Sequence, residues 1–329
     1  METRRAALIK GIQIAGVAMT APLLSAATPF VRLPDEQGDL SDERGRFRAE
    51  LNHLAEFGPL RPASLVMPLI LSTWSNINAT YYATNDEVAG YKARAAILAG
   101  DRSITINDPT NGYRWFSLAQ RYSRMCGDPE LISLAHAREG LARLYWDEKS
   151  KYIAIDAKLA HNHAVNDQQR GMAFMVFARF LANMGDQNRA ERMAEQAVEM
   201  AVDAPGASPR PDRWLRPMAH SMAARVMSRF PDLLPSVEAH SHAAMAGMHL
   251  EATQNRTHAM LNVGTVRVRA REYEGAEQVI RGILSSLPPG ALQPVLAKQV
   301  RGIADLAISQ DPASMTAREI RDLADSVQA

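Results

Sequence analysis

From Ala276 to Leu287 the apolar residues of this chain keep to one side of a helix. Ala276, Val279, Ile280, Ile283, Leu284 and Leu287 recur at i, i+3, i+4, i+7, i+8 and i+11, which is the period of an amphipathic helix. The stretch before them carries Gly264 and ends in the polar corner Arg271-Glu272, so the two halves read as one antiparallel helix pair. The same stripe returns at Ala190, Met193, Ala194, Ala197 and Val198. A pair of this size cannot bury its apolar face alone, so neighbouring pairs must stack. That requirement constrains the fold more than any other feature of the sequence.

Other pairs follow from their punctuation. In Cys126-Gly127-Asp128-Pro129-Glu130 a helix-ending glycine meets a capping aspartate and a proline suited to a first turn. Pairs are therefore expected over 113–146, 166–203 (turning at Gly185-Asp186), 213–250 and 258–289, with two closing helices near 291–309 and 317–328. Earlier helices are expected near 42–57 and 63–82. Thr84–Glu87 and Thr316–Glu319 have the form of capping boxes. Gly100–Gly112 reads as a break in which Ile104 and Ile106 alternate. The stretch 147–165 reads as irregular with an extended piece, and 203–212 (DAPGASPRPD) as a hinge.

In the 258–289 pair Gly264, Tyr273, Ala276 and Pro288 stand at the spacing of the tetratricopeptide repeat, which the pair resembles. Arg267 departs from it, since the repeat prefers a large aromatic there. The expected fold is all-α, a superhelical array of antiparallel helix pairs forming a tetratricopeptide-like α-solenoid. Its first helices would line a concave binding face. Expected segments are an apolar leader over 1–32, N-terminal hairpins over 33–203 and C-terminal repeats over 204–329.

The leader supports two readings. Arg4-Arg5 followed by an uncharged stretch over 11–27, with Ser25-Ala26-Ala27 as a small-residue cleavage site, resembles a twin-arginine export signal. The other reading is a structural first helix ended by Pro22. Nothing after it reaches the length of an apolar membrane span.

Chemistry is sparse. A net charge of +1 gives no pull toward nucleic acid or acidic membranes, and no nucleic-acid motif accompanies it. The single Cys126 forms neither an intrachain disulfide nor a multi-cysteine zinc site. His161-x-His163 and His240-x-His242 place their rings about 200° apart on a helix, so neither pair chelates. His242 and His249 share a face without an acidic ligand between them. Phosphate-loop, dinucleotide and hydrolase signatures are missing. No catalytic residue, cofactor or metal ligand is assigned. Arg267 and Arg271, at i, i+4, are the candidate partner-binding residues, able to grip a phosphate or a partner's carboxylates. The acids Glu272, Glu274 and Glu277 are also placed to offset the local arginines.

Two wider resemblances bear on function. Arg4-Arg5 with its leader, hairpins ending in Gly264, Tyr273 and Ala276, and the closing Leu287-Pro288-Pro289-Gly290 resemble the C-terminal sensing region of actinobacterial Xre-type regulators. That resemblance implies a non-enzymatic, regulatory module binding a protein or peptide in the concave groove, without direct nucleic-acid contact, in the cytoplasm. The turn Leu144 to Tyr152 is similar to one in (α/α)-barrel enzymes. Together with the leader, it implies the alternative, a saccharide-active helical-hairpin protein exported through a twin-arginine signal cleaved near Ala27. Such an enzyme needs two carboxylates facing one pocket.

Overall fold

The computed structural model describes residues 43–80, 85–287 and 292–326. The leader with Arg4, Arg5 and Ala27, the polar stretch before residue 43, Thr84 and the Pro288–Gly290 corner lie outside them. Among the described residues there are fourteen α-helices. They are α1 (Glu43–Phe57), α2 (Ala63–Thr80), α3 (Asp86–Thr105), α4 (Pro109–Cys126), α5 (Pro129–Trp146), α6 (Tyr152–His163), α7 (Asp167–Asn183) and α8 (Gln187–Glu199). There follow α9 (Arg216–Met227), α10 (Leu234–Gly247), α11 (Thr253–Arg269), α12 (Tyr273–Ser286), α13 (Pro294–Gln310) and α14 (Met315–Ser326). No described helix is long and apolar enough to cross a membrane.

The helices pack as consecutive antiparallel pairs from α3/α4 to α13/α14, and α1 and α2 pack on each other and on α3. This is the all-α array of helix pairs that the stripes required. Helices α3, α5, α7, α9, α11 and α13 each touch the next in that series, while α4, α6, α8, α10, α12 and α14 form the outer layer. The superhelix is tight: α13 also touches α3. Ile104 and Thr105 at the end of α3 and Val295 at the start of α13 line one cavity.

Alanine makes such close layers possible. Ala93, Ala95, Ala96 and Ala99 of α3, and Ala190, Ala194 and Ala197 of α8, are fully buried. Larger side chains fill the gaps, Phe116, Ile153, Met175, Met227, Leu261 and Ile280 among them; each contributes about 1.5–3 kcal/mol by leaving water. Trp214 ties three helices together. Its Nε1 donates to Ala197 O at 2.6 Å, and its ring occupies the space where a Cβ on Gly171 would lie 2.7 Å away.

Several local expectations are corrected. Helix α3 runs through Gly100 to Thr105, so the break shrinks to 106–108 and holds no strand. Gly100 is there for packing: a Cβ would meet the buried Phe116 ring at 2.7 Å. The 147–165 stretch is mostly helix α6. The cap of α3 is Asn85, accepting from Val88 N at 2.9 Å. The cap of α14 is Ser314, accepting from Ala317 N at 3.2 Å, in place of Thr316.

Four corners follow one plan, in which a residue with positive φ ends the first helix. Asn107 (φ 56°), Gly127 (φ 67°), Gly185 (φ 81°) and Arg271 (φ 63°) hold that place. At the last two the hydrogen bonds match: Gly185 N to Ala182 O and Asp186 N to Leu181 O, then Arg271 N to Val268 O and Glu272 N to Arg267 O. An arginine in left-handed backbone carries a steric cost that glycine escapes. Arg271→Gly is therefore expected to raise stability by about 0.5–1 kcal/mol, read as a higher urea midpoint with an unchanged slope.

Candidate functional site

The inner helices finish their C-terminal turns around a concentration of positive charge. Arg179 lies one turn before the end of α7, Arg225 and Arg229 flank the end of α9, and Arg269 ends α11. Tyr145, at the end of α5, stacks its ring beneath Arg179, whose Cζ is 4.9 Å from the centroid. Tyr145 also packs against His258 with centroids 6.0 Å apart. Both of these residues line the axial cavity enclosed by the inner helices.

Among the described residues one carboxylate answers the four guanidiniums: Glu148, in the α5–α6 turn, accepts from Arg229 Nη2. Burial, with each other's charge, pushes Arg179, Arg225 and Arg269 below the usual arginine range, Arg225 to about 10. At about 10, Arg225 stays a cation at neutral pH. Arg269 Nε is buried without a hydrogen-bond partner among the described residues. Burial first, and then Arg225 and Arg179, hold His258 down to about 4 against the hydrogen bond from its Nδ1 to Gln299 Oε1 at 2.8 Å. His258 is therefore neutral and adds no further charge. The negative ends of the inner helix dipoles offset part of the cationic excess.

The axial cavity is about 110 Å³ and is lined by Asp101, Arg138, Ser221, Met222, His258 and Val295 among others. Asp101 is the one acidic side chain on that wall among the described residues, and Arg138 Nη2 binds it at 2.7 Å. The buried pair of carboxylates lies elsewhere, between α5 and α6. Arg143 donates from Nε to Asp156 Oδ2 at 2.9 Å and from Nη2 to Glu139 Oε1. Gln120 Nε2 donates to Glu139 Oε2 at 2.6 Å, and His136 Nδ1 is 3.1 Å from Asp156 Oδ1. Burial and the charge of Asp156 raise the Glu139 carboxyl above its usual range.

Arg267 and Arg271 are placed apart from this cluster. Arg267 reaches back to α10, where Nη2 and Nε bind Glu238 Oε1 at 2.6 and 3.2 Å. Arg271 is exposed at its corner. The local offset by acids holds for Arg281, which pairs with Glu277 one turn away. Cys126 is half-buried, its Sγ 3.2 Å from Ser123 O, and burial pushes its thiol up, away from a nucleophile's range. His240 bridges His220 (2.8 Å) and Glu195 (3.0 Å), while His242 is exposed and His249 accepts from Glu251 N. No three metal-type side chains converge among the described residues.

The sequence reading missed Arg179, Arg225 and Arg229. Arg179 and Arg225 lie on alanine-containing helices and Arg229 just beyond one, far apart in sequence, and only the superhelical curvature brings them together. The signal available in sequence was their common position near the ends of inner helices.

No protein-family model matches the chain, and no curated protein matches it. Among solved structures it is similar to the Assembly Chaperone of RpL4 (Acl4), residues 1–338, at 13% identity over 87% of this chain and 96% of that one, with a TM-score of 0.31.

Proposed function

We propose that the chain is a non-enzymatic, regulatory binding module that takes an acidic segment of a protein or peptide against its inner wall. The observation that carries this reading is the imbalance, among the described residues, of four guanidiniums and one carboxylate around the ends of α7, α9 and α11. Arginines serving only as ties are paired elsewhere in this chain, Arg143 with two acids and Arg267 with Glu238. Clustered like charges oppose folding unless something relieves them. A partner's carboxylates would do so through charge-assisted, bidentate hydrogen bonds. The saccharide-active alternative is less well supported, because among the described residues Asp101 faces the axial cavity without a second acid.

The test is fluorescence polarisation with short labelled peptides of acidic, neutral and basic composition, on wild type and on the Arg225→Gln/Arg229→Gln double variant. Wild type is expected to bind the acidic peptide alone, and the variant to lose at least about tenfold in affinity. The variant should fold as stably as wild type, since it removes repulsion together with one partly exposed ion pair. Equal binding of neutral and acidic peptides, or full affinity in the variant, would remove the proposal.

A further inference from the structure

Away from the inner wall, a second and larger cavity opens beside the α5–α6 turn, with a volume of about 390 Å³. That is the size of a small-ligand site. Three aromatic residues from different elements form its walls: Tyr113 of α4, Trp146 at the end of α5 and Tyr152 at the start of α6. Trp146 meets Tyr113 edge-on, with centroids 5.1 Å apart, and is seated over Gly112, where a Cβ would lie 2.1 Å from its ring. Tyr152 is 52% exposed, an unusual state for a large ring beside a cavity.

The polar lining selects among ligand classes. Arg143 is sandwiched between Tyr113 and Tyr152, its Cζ 5.0 and 5.2 Å from the two centroids, and its charge is taken up by Glu139 and Asp156 beneath it. It therefore offers the cavity a flat surface and no free cation. The rim alternates in kind: Lys298 donates, Asp147 accepts, and Asn107 and Ser150 do both. A phosphate would find Asp147 against it, and a hydrocarbon would strand all four polar groups. Hydroxyl groups use donors and acceptors together, and their ring's C–H faces stack on aromatic walls.

We propose that this pocket binds a neutral saccharide unit, stacked between Trp146 and Tyr152 and hydrogen-bonded at its rim by Asn107, Asp147, Ser150 and Lys298. It is a binding site without a catalytic pair, since the two nearby carboxylates are locked beneath Arg143. The proposal stands independently of the inner-wall reading.

Saturation-transfer difference NMR with glucose, N-acetylglucosamine, cellobiose, maltose and chitobiose tests it. At about 10 mM sugar even a site with a Kd of about 1 mM is mostly filled. At least one sugar is expected to receive saturation and to shift the fluorescence of Trp146; Trp146→Phe should lose the fluorescence change while keeping saturation transfer. Tyr152→Ala and Asp147→Ala, both at exposed positions, should weaken binding at least about tenfold, whereas Arg225→Gln should leave it intact. No transfer to any sugar, undiminished transfer in Tyr152→Ala, or displacement of the sugar by inorganic phosphate at equal concentration would overturn the proposal.

Discussion

Replacing Arg143 with methionine is expected to cost about 3–5 kcal/mol of unfolding free energy near neutral pH, among the largest effects of any single change in this chain. The side chain itself is mostly buried and holds Glu139 and Asp156, both more than nine-tenths buried. Methionine keeps much of the packing against Tyr113 and Tyr152 and removes the charge. Two carboxylates are then left facing each other with Gln120 and His136 as remaining partners. The loss should shrink in acid. Glu139 already titrates above its usual range in the folded protein, through burial and then Asp156. Its native state therefore takes up a proton more readily than the unfolded chain does. That contribution to stability is fully present below the ordinary glutamate value and disappears as pH rises through the raised native one. Without Arg143 the native value rises further, so the variant gains more than wild type from acidification. Urea unfolding at about pH 8 and about pH 5 checks this; an equal loss at both would mean that the acids do not depend on Arg143.

The second large effect is at Ala276. Its side chain is fully buried on α12 beside Ile280 and Ile283, in a core shared with Leu261, Val300 and Ile303. Ala276→Arg forces a long side chain into a filled space and buries a charge with no acid to meet it. Overpacking of about 1–3 kcal/mol and an uncompensated buried charge together are expected to remove at least about 4 kcal/mol. Arg281 is the control on the opposite face, 62% exposed and paired only with Glu277. Arg281→Ala should change stability by less than about 0.5 kcal/mol. Thermal melts that leave the two variants equally stable would refute the packing of α12 on α11.

The helical array was legible because its causes are local. The Ala190–Val198 and Ala276–Leu287 stripes bury as their period demands, and Gly127, Asp128 and Pro129 end one helix and begin the next. Where packing overrides local chemistry the reading failed: Gly100 and Asp101 look like punctuation but lie inside α3. The candidate sites were nearly invisible for a related reason. Arg179, Arg225 and Arg229 meet only through the curvature of the array. Trp146 and Tyr152 share one turn in the sequence, but Tyr113 joins them only where that turn folds against α4. Arg267 could be seen as a cation in sequence, but its acid, Glu238, sits across a helix pair.

Hydrogen exchange with and without a saturating acidic peptide tests binding at the inner wall directly. New protection is expected in the C-terminal turns of α7, α9 and α11, around Arg179, Arg225 and Arg269, with the outer helices α8, α10 and α12 unchanged. Protection confined to the outer helices, or none anywhere while the peptide is bound, would contradict it.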